Sequence, residues 1–221
     1  MRRFWFPLAL LAVALAAPAA QAGLIDFESG FADQQALGAV NTGDNVVTFS
    51  VGTPGGGSAY VAEVGFPTTA FTPFDTPADT KVSGKFFLTD EINGPKVALD
   101  YFLAFANPVG SLHLDLYDFR GDGGAPVGST VTLTLYDALD AVVGTDSFTT
   151  VAGMPQGAIV GLGALASSQA VRAALTFSKG DIGTGIDNIC FQTVPEPSTF
   201  VLLGLGLGGV GLIARRRNRA V

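Results

Sequence analysis

A strict alternation of apolar and polar side chains in the middle of the chain constrains its fold most. Residues 112–117 read Leu-His-Leu-Asp-Leu-Tyr, and residues 131–136 read Val-Thr-Leu-Thr-Leu-Tyr. Successive side chains of a β-strand point to opposite faces of a sheet, so a period of two leaves one face apolar and the other polar. Each segment therefore predicts a strand that is buried on one side.

Further strands are predicted on both sides of these two, and no segment between the chain ends has the pattern of a helix. Glycine, at 29 of 221 residues, and clusters of turn formers separate them. Asn107-Pro108 is expected to end a strand, and residues 137–140 to form a tight hairpin. Some ten strands predict an all-β fold, an antiparallel β-sandwich of jelly-roll type, over residues 23–193. The other predicted strands are Leu24–Phe27, Val46–Val51, Ala59–Val64, Lys85–Leu88, Val97–Phe105, Ala141–Thr149, Ala158–Leu162, Val171–Phe177 and Ile186–Val194.

The charged residues are distributed unevenly along the chain, whose formal net charge is −7. Half of the 12 basic residues lie in the two ends, so residues 23–194 keep six basic against eighteen acidic side chains. An acidic domain of this kind repels nucleic acid and anionic lipid, and it is compatible with solubility outside a cell. Nucleic acid is therefore not expected as a partner.

Residues 1–22 have the three parts of a secretory signal peptide. A basic start is followed by an apolar stretch at residues 4–17 and by Ala-Gln-Ala at residues 20–22, which has small residues where signal peptidase requires them. Cleavage is predicted between Ala22 and Gly23, with signal peptidase and the export machinery as partners. An N-terminal membrane anchor is the alternative, which Pro18 disfavours.

Residues 194–221 also contain three parts in a fixed order. A Pro-Glu-Pro tripeptide precedes an apolar stretch at residues 200–214 and a basic cluster at residues 215–219. The apolar stretch is short and rich in glycine for a membrane helix. This apolar stretch is nevertheless predicted to be a transmembrane helix that halts in the inner membrane, because the positive charges that follow it stay in the cytoplasm. The tripeptide is Pro195, Glu196 and Pro197, and the arginines that stop transfer are Arg215, Arg216 and Arg217.

This tail resembles the PEP-CTERM sorting signal of Gram-negative bacteria over residues 194–219. The resemblance implies that an exosortase, a membrane-embedded transpeptidase-like enzyme, recognises the tripeptide and removes the tail. It also implies transient residence in the inner membrane, and then a place at the cell surface or in extracellular polysaccharide or biofilm material. Two prolines keep the tripeptide extended, so that an enzyme can reach its backbone. A plain C-terminal anchor is the alternative.

Three short segments of the domain also resemble the common PEP-CTERM ectodomain. They are residues 25–28 (Ile-Asp-Phe-Glu), residues 135–138 (Leu-Tyr-Asp-Ala) with the turn after them, and residues 185–189 (Gly-Ile-Asp-Asn-Ile). The resemblance implies a lectin-like sandwich, similar to a carbohydrate-binding module, and indicates no particular ligand.

Acidic residues near both ends of the domain predict a structural calcium site. Asp26 and Glu28 are two residues apart, on one face of the predicted first strand, and Asp187 lies in the last strand. In many jelly-roll modules these strands meet, and calcium takes six to eight oxygen ligands, which such a junction can supply. The alternative is that the carboxylates simply face solvent. A second acidic cluster, without EF-hand spacing, comprises Asp115, Asp118 and Asp122.

No catalytic constellation is predicted. His113 lies on the polar side of its strand, and Cys190 is interpreted as a small core residue. Trp5 leaves with the signal peptide, so the mature domain lacks the ring that most often stacks on sugars. Candidates for an aromatic sugar-binding platform are Tyr60, Phe66, Phe71 and Phe74.

Three functions are compatible with these features. The first is a non-enzymatic cell-surface or extracellular-matrix protein, delivered by the tail. The second is a carbohydrate-binding module that acts on extracellular polysaccharide. The third is a secreted hydrolase with paired carboxylates. The missing tryptophan and the missing catalytic constellation favour the first.

Overall fold

The computed structural model describes residues 21–63, 84–89, 99–117, 127–154, 158–178 and 185–194, together with Gly206. Residues 21–194 form one compact unit, whose described part consists of eleven β-strands. Apart from Gly206, the apolar stretches of the predicted signal-peptide helix and transmembrane helix, the sorting tripeptide and the basic cluster lie outside the described residues. Within the described ranges, no helix is long and apolar enough to span a bilayer. The strands are β1 (Ala22–Ile25), β2 (Gln35–Leu37), β3 (Ala39–Asn41), β4 (Val46–Val51), β5 (Ala59–Glu63), β6 (Phe86–Thr89), β7 (Tyr101–Tyr117), β8 (Thr130–Tyr136), β9 (Val142–Thr149), β10 (Val160–Phe177) and β11 (Gly185–Thr193).

All pairings between the strands are antiparallel and belong to one continuous sheet. The main path runs β2-β5-β6-β11-β7-β10-β8-β9, while β1 pairs with β11 and the β3–β4 hairpin joins β7 through β4. In β4, β7 and β8, alternating apolar residues supply a buried face, as the period of two predicts.

Two long strands, β7 and β10, bend and thereby divide the sheet into two layers. Residues 101–105 of β7 pair with β4, whereas residues 109–117 pair with β11. Likewise, residues 172–177 of β10 pair with β8, and residues 160–165 lie beside the second half of β7. We call the layer that contains β3, β4, β8 and β9 layer A, and the layer that contains β1, β2, β5, β6 and β11 layer B.

The two layers pack against each other and enclose the core. The ring centroids of Phe105 in layer A and Phe191 in layer B lie 5.6 Å apart. Phe27, just after β1, reaches Phe49 of layer A at 6.3 Å. All four rings are buried. Because a fully buried Leu or Phe side chain contributes roughly 1.5–3 kcal/mol, this interface dominates the stability of the sandwich.

On one side of the molecule, β9 of layer A lies against the free edge of β10 in layer B. Asp146 Oδ2 accepts a hydrogen bond from the backbone N–H of Gly163 at 2.8 Å. The backbones are so close that a Cβ on Gly144 would lie 2.4 Å from the carbonyl oxygen of Leu165. These contacts cover an edge that would otherwise expose unpaired N–H and C=O groups.

The prediction of an all-β antiparallel sandwich is confirmed, and the strand Val46–Val51 has the predicted bounds. The two layers are not separate sheets, however, because β7 and β10 pass through both. The segments predicted as Ala158–Leu162 and Val171–Phe177 are the two halves of β10. The short strands β2 and β3 were not predicted.

Asn107-Pro108 lies inside β7 and does not end a strand, so that prediction is wrong. The register between β7 and β10 skips the residues between Ala104 and Val109, where both strands bend. A proline there removes no hydrogen bond from that ladder. The N–H of Asn107 instead donates to Asn45 Oδ1 at 2.9 Å.

The hairpin predicted at residues 137–140 is confirmed. Asp137 Oδ1 accepts hydrogen bonds from the N–H groups of Leu139 and Ala141, at 2.8 and 3.0 Å. Asp140 adopts a left-handed conformation with φ of 63°, which aspartate tolerates better than most residues. The turn connects β8 to β9 and so builds the edge of layer A.

Candidate functional site

A junction in layer B brings together acidic residues from three parts of the chain. β1 pairs with β11 as far as Ile25, which lies opposite Ile189. β6 then pairs with the same side of β11, where Leu88 lies opposite Ile186. The loop that follows β1 therefore begins at the point along β11 where the pairing partner changes from β1 to β6.

A β-bulge at Asn188 shapes β11 at this junction. Asp187 lies opposite Asp115, whereas Cys190 lies opposite His113, so β11 has one more residue than β7 over this stretch. Asn188 takes up the extra length with a left-handed φ of 49°. Its side-chain amide Nδ2 donates to Asp115 Oδ2 at 2.9 Å. The bulge therefore holds Asp187 and Asp115 side by side.

Asp187 is a fully buried carboxylate. Its Oδ1 accepts a hydrogen bond from the backbone N–H of Asn188 at 2.7 Å, but Oδ2 has no hydrogen-bond partner among the described residues. Burial raises the pKa of Asp187 to about 8 despite that hydrogen bond, and the charges of Glu28, Asp26 and Asp115 raise it further. A buried carboxylate with an unpartnered oxygen is costly, so this group needs either a proton or a cation.

Asp26 and Glu28 lie in the loop after β1 and not on one face of a strand, because β1 ends at Ile25. Phe27 between them has a left-handed φ of 56°, and its ring is buried in the core. Glu28 Oε1 accepts hydrogen bonds from the backbone N–H groups of Lys85 and Phe86, at 2.8 and 3.0 Å. The loop is therefore anchored at Phe27 and tied to the start of β6.

The structure thus brings the loop that carries Asp26 and Glu28 to the junction that holds Asp187, since β1 pairs with β11 up to Ile25 and Glu28 is bound to the start of β6. In the part of the chain that the structure describes, no three His, Cys, Asp or Glu side chains are gathered closely enough to complete a metal site alone. Calcium binding itself remains a prediction. The sequence pattern groups Asp115 with another cluster and gives no sign of Asn188, because only the strand register reveals their proximity.

His113 and Cys190 face each other on the outer side of layer B. The side chain of His113 is 52% exposed, as predicted, and its Nε2 lies 3.5 Å from Asp115 Oδ1. Cys190 is half-buried on this outer face, so its interpretation as a core residue is wrong. Burial raises the pKa of the Cys190 thiol, with added effects of Asp115 and Asp187. A raised pKa lowers the fraction of thiolate, which is the nucleophilic form of a cysteine.

A cleft of about 290 Å³ lies on the outer face of layer A. Its floor includes Phe102 and Ser50, and its walls include Arg172 and the glycine-rich turn at residues 55–57. The guanidinium carbon of Arg172 lies 5.4 Å from the ring centroid of Tyr136. A cleft with an aromatic floor and a few polar groups is typical of small-ligand sites.

Tyr60, the described member of the predicted sugar-binding platform, does not line the cleft. Tyr60 is half-buried in β5, and its companions lie outside the described residues. Phe102 was not predicted, because the alternation of its strand gives no indication of a cleft. The residues outside the described ranges are Phe66, Phe71 and Phe74.

The predicted signal cleavage site lies inside β1. Ala22 pairs with Gln192, and Gly23 pairs with Phe191. A Cβ on Gly23 would lie 2.3 Å from Cζ of the Phe191 ring, so this position favours glycine. The cleavage itself remains a prediction, as do the roles of the sorting tripeptide and the basic cluster in the tail.

A family model for the PEP-CTERM protein-sorting motif matches residues 193–217. No curated protein matches the chain. The match confirms the resemblance of the tail to the PEP-CTERM sorting signal, and this motif indicates an exported, cell-surface protein.

Solved structures resemble the chain only distantly. The K1 cleaved adhesin domain of Lys-gingipain from Porphyromonas gingivalis is 12% identical, with 79% of this chain and 99% of that chain covered and a TM-score of 0.44. A DUF4465 family protein from Bacteroides caccae is 13% identical, with coverages of 81% and 96% and a TM-score of 0.42. An arabinose-bound GH51 α-L-arabinofuranosidase is 8% identical over 77% of this chain, with a TM-score of 0.44, and this chain spans 26% of that enzyme.

Proposed function

We propose that this chain is a non-enzymatic cell-surface or extracellular-matrix protein, which its tail delivers and whose sandwich works outside the cell. The observation that carries the proposal is the sorting motif at residues 193–217, which follows a folded β-domain. A signal peptide would pass the chain to the export machinery, and signal peptidase would cut between Ala22 and Gly23. The protein would then stay in the inner membrane until the exosortase acts.

The boundary between the domain and the motif supports this route. β11 ends at Thr193, and the backbone N–H of Val194 donates to the carbonyl oxygen of Pro108 at 2.8 Å. The compact unit ends at Val194, one residue before the tripeptide. A cut within or after the tripeptide would therefore leave the hydrogen bonds and the core of the sandwich in place.

Substitution of the tripeptide tests the proposal in the native host. Pro195→Ala combined with Pro197→Ala removes the two rings that hold the segment extended, so the exosortase should lose its substrate. The variant is expected to accumulate with its tail in the inner-membrane fraction, while Ser198→Ala, a neighbouring change outside the tripeptide, is processed normally. Equal processing of the tripeptide variant and the wild type would contradict the proposal.

A carbohydrate-binding function is the second candidate, and the cleft on layer A favours it. Phe102 offers a ring for stacking against a sugar, and Arg172 and Ser50 offer hydrogen-bonding groups in the same cleft. The partner would be an extracellular polysaccharide.

Affinity electrophoresis against a panel of polysaccharides, including the host's own, distinguishes the two candidates. Retention that Phe102→Ala weakens at least tenfold, and that Thr132→Ala on the same face but outside the cleft leaves unchanged, would favour the binding module. If no polysaccharide retains the protein, only the matrix role remains.

A further inference from the structure

An electrostatic conflict in layer B lies outside the proposed function. Asp115 and Asp187 are directly opposite on neighbouring antiparallel strands and so share one face of the sheet. Facing Cβ atoms in such a pair are roughly 4.5–5.5 Å apart, and like charges at this spacing are destabilising. Asp26 and Glu28 add further negative charge from the loop after β1.

No described lysine or arginine neutralises this cluster. Among the residues in view, the ion pairs are Arg172 with Asp140 and His113 with Asp115. Neither pair reaches Asp187, whose Oδ2 is buried and without a hydrogen-bond partner. A buried anionic oxygen normally has a partner, and here the surrounding groups are other carboxylates.

We propose that a calcium ion binds at this junction, with the carboxylates of Asp187 and Asp115 as direct ligands and Asp26 and Glu28 as the surrounding negative charges. Asp187 Oδ2 is the anchor of the site, because it is the carboxylate oxygen in the cluster that is both buried and unpartnered. The amide of Asn188 holds Asp115 in position through its 2.9 Å hydrogen bond.

The chemistry of the donors selects calcium among divalent cations. The side chains do not complete a site alone, and calcium accepts backbone carbonyls and water among its six to eight oxygen ligands. Magnesium demands near-ideal octahedral geometry and gives up water reluctantly. Zinc prefers thiolate and imidazole, whereas the proposed ligands here are carboxylates. Calcium sites of extracellular modules bind at about 10⁻⁴–10⁻³ M, which suits an exported protein.

The site would join three segments that are far apart in sequence. Asp187 belongs to β11 and Asp115 to β7, while Glu28 ties the loop after β1 to the backbone at the start of β6. A cation here would relieve the repulsion among them and hold the N-terminal segment against the last strand. Calcium should therefore stabilise the folded domain, because it binds the native state and not the unfolded chain.

Thermal unfolding of the full chain in a mild detergent, followed by circular dichroism, tests the proposal. After chelation, 10 mM CaCl₂ is expected to raise Tm by about 3–10 °C, if the affinity is that of an extracellular calcium site. NaCl at equal ionic strength should give no such shift, and 10 mM MgCl₂ a smaller one.

Asp187→Asn is the decisive variant, since it keeps the shape of the side chain and removes its charge. The variant should fold with a higher Tm than the wild type in chelator, because asparagine needs neither the proton nor the cation that a buried aspartate requires, yet it should lose the calcium shift. Asp44→Asn is the matched control: Asp44 Oδ2 is also buried and unpartnered, but it lies in the hairpin between β3 and β4. This control should keep the calcium shift.

Terbium provides a direct readout that does not depend on stability. The hydroxyl of Tyr117 lies 3.4 Å from Asn188 Nδ2, so excitation of this tyrosine should sensitise a terbium ion bound at the junction. Terbium emission that falls when calcium displaces the ion, and that Asp187→Asn abolishes, supports the site. Wild-type protein without a calcium shift and without terbium emission would show that Asp187 holds only a proton, and it would overturn the proposal.

Discussion

Ala22 in the first strand pairs with Gln192 in the last, one residue before the match to the sorting motif begins at residue 193. The carbonyl oxygen of Gln21 also accepts hydrogen bonds from the backbone N–H and the hydroxyl of Thr193, at 2.9 and 3.1 Å. The bond that signal peptidase is predicted to cut is therefore part of a hydrogen-bonded strand once the domain has folded.

This pairing predicts that signal cleavage must precede folding. A protease needs its substrate locally open, and β1 is held along its whole length by β11. Purified precursor should resist signal peptidase under native conditions and be cut between Ala22 and Gly23 after unfolding in urea and dilution into the assay. Equal cleavage rates for the native and the freshly diluted precursor would contradict this order of events.

The contact between β9 and β10 predicts a strong effect of a single methyl group. In Gly144→Ala the new Cβ would lie 2.4 Å from the carbonyl oxygen of Leu165, so one backbone must move. We expect a loss of about 1–3 kcal/mol in the free energy of unfolding, measured in urea. Gly38→Ala is the matched control, because a Cβ at Gly38 has no neighbour within 4 Å. A loss as large in the control would show that the close approach is not the cause.

The hairpin between β8 and β9 predicts a different kind of loss at Asp137. Asp137→Ala leaves the N–H groups of Leu139 and Ala141 without their carboxylate acceptor. The expected destabilisation is about 1–2 kcal/mol, because each hydrogen bond contributes about 1 kcal/mol and water replaces part of it. Asp137→Asn retains an acceptor oxygen and should recover most of the loss in the same urea titration. An asparagine variant as unstable as the alanine variant would refute this assignment.

The raised pKa of Asp187 predicts how stability depends on pH in the absence of calcium. Its folded pKa of about 8 exceeds the ordinary aspartate pKa of 3.8, which applies to the unfolded chain, so the native state binds the extra proton between these limits. Stability contributed by this proton is fully present below about pH 4 and is lost as pH rises towards 8. The loss amounts to up to roughly 1.4 kcal/mol for each pH unit.

Comparison with Asp187→Asn isolates this contribution from those of other groups. In chelator, the variant should gain stability relative to the wild type as pH rises from 5 to 8. The measurement is the difference between their urea midpoints at the two pH values. A difference that stays constant would mean that Asp187 does not titrate in this range.

Local patterns in the sequence predicted the strands but not how they join. Val46–Val51 has one strong alternation and matches the structure. The two halves of β10 were separated because residues 166–170 lie at the bend, where the alternation fades and the register shifts. The sequence pattern likewise did not predict that β7 continues through Pro108, because a proline normally ends a paired strand.

The candidate site was predicted only in part, for a related reason. Asp26, Glu28 and Asp187 could be proposed because the ends of the domain were expected to meet. The burial of Asp187 could not be predicted, because it depends on the bulge at Asn188 and on a loop from the opposite end of the chain. The pairing of Asp187 with Asp115 follows from the register of β11 and β7, which single-sequence patterns do not determine.

The central claim is that the chain is exported and trimmed at both ends to its sandwich. Intact mass spectrometry of the mature protein from the native host, in cells with and without the exosortase, tests it most directly. We predict a wild-type species that begins at Gly23 and lacks the basic cluster at residues 215–219, and a species that retains this cluster when the exosortase is absent. A cytosolic protein that still carries Met1, or an intact tail in wild-type cells, would contradict the account.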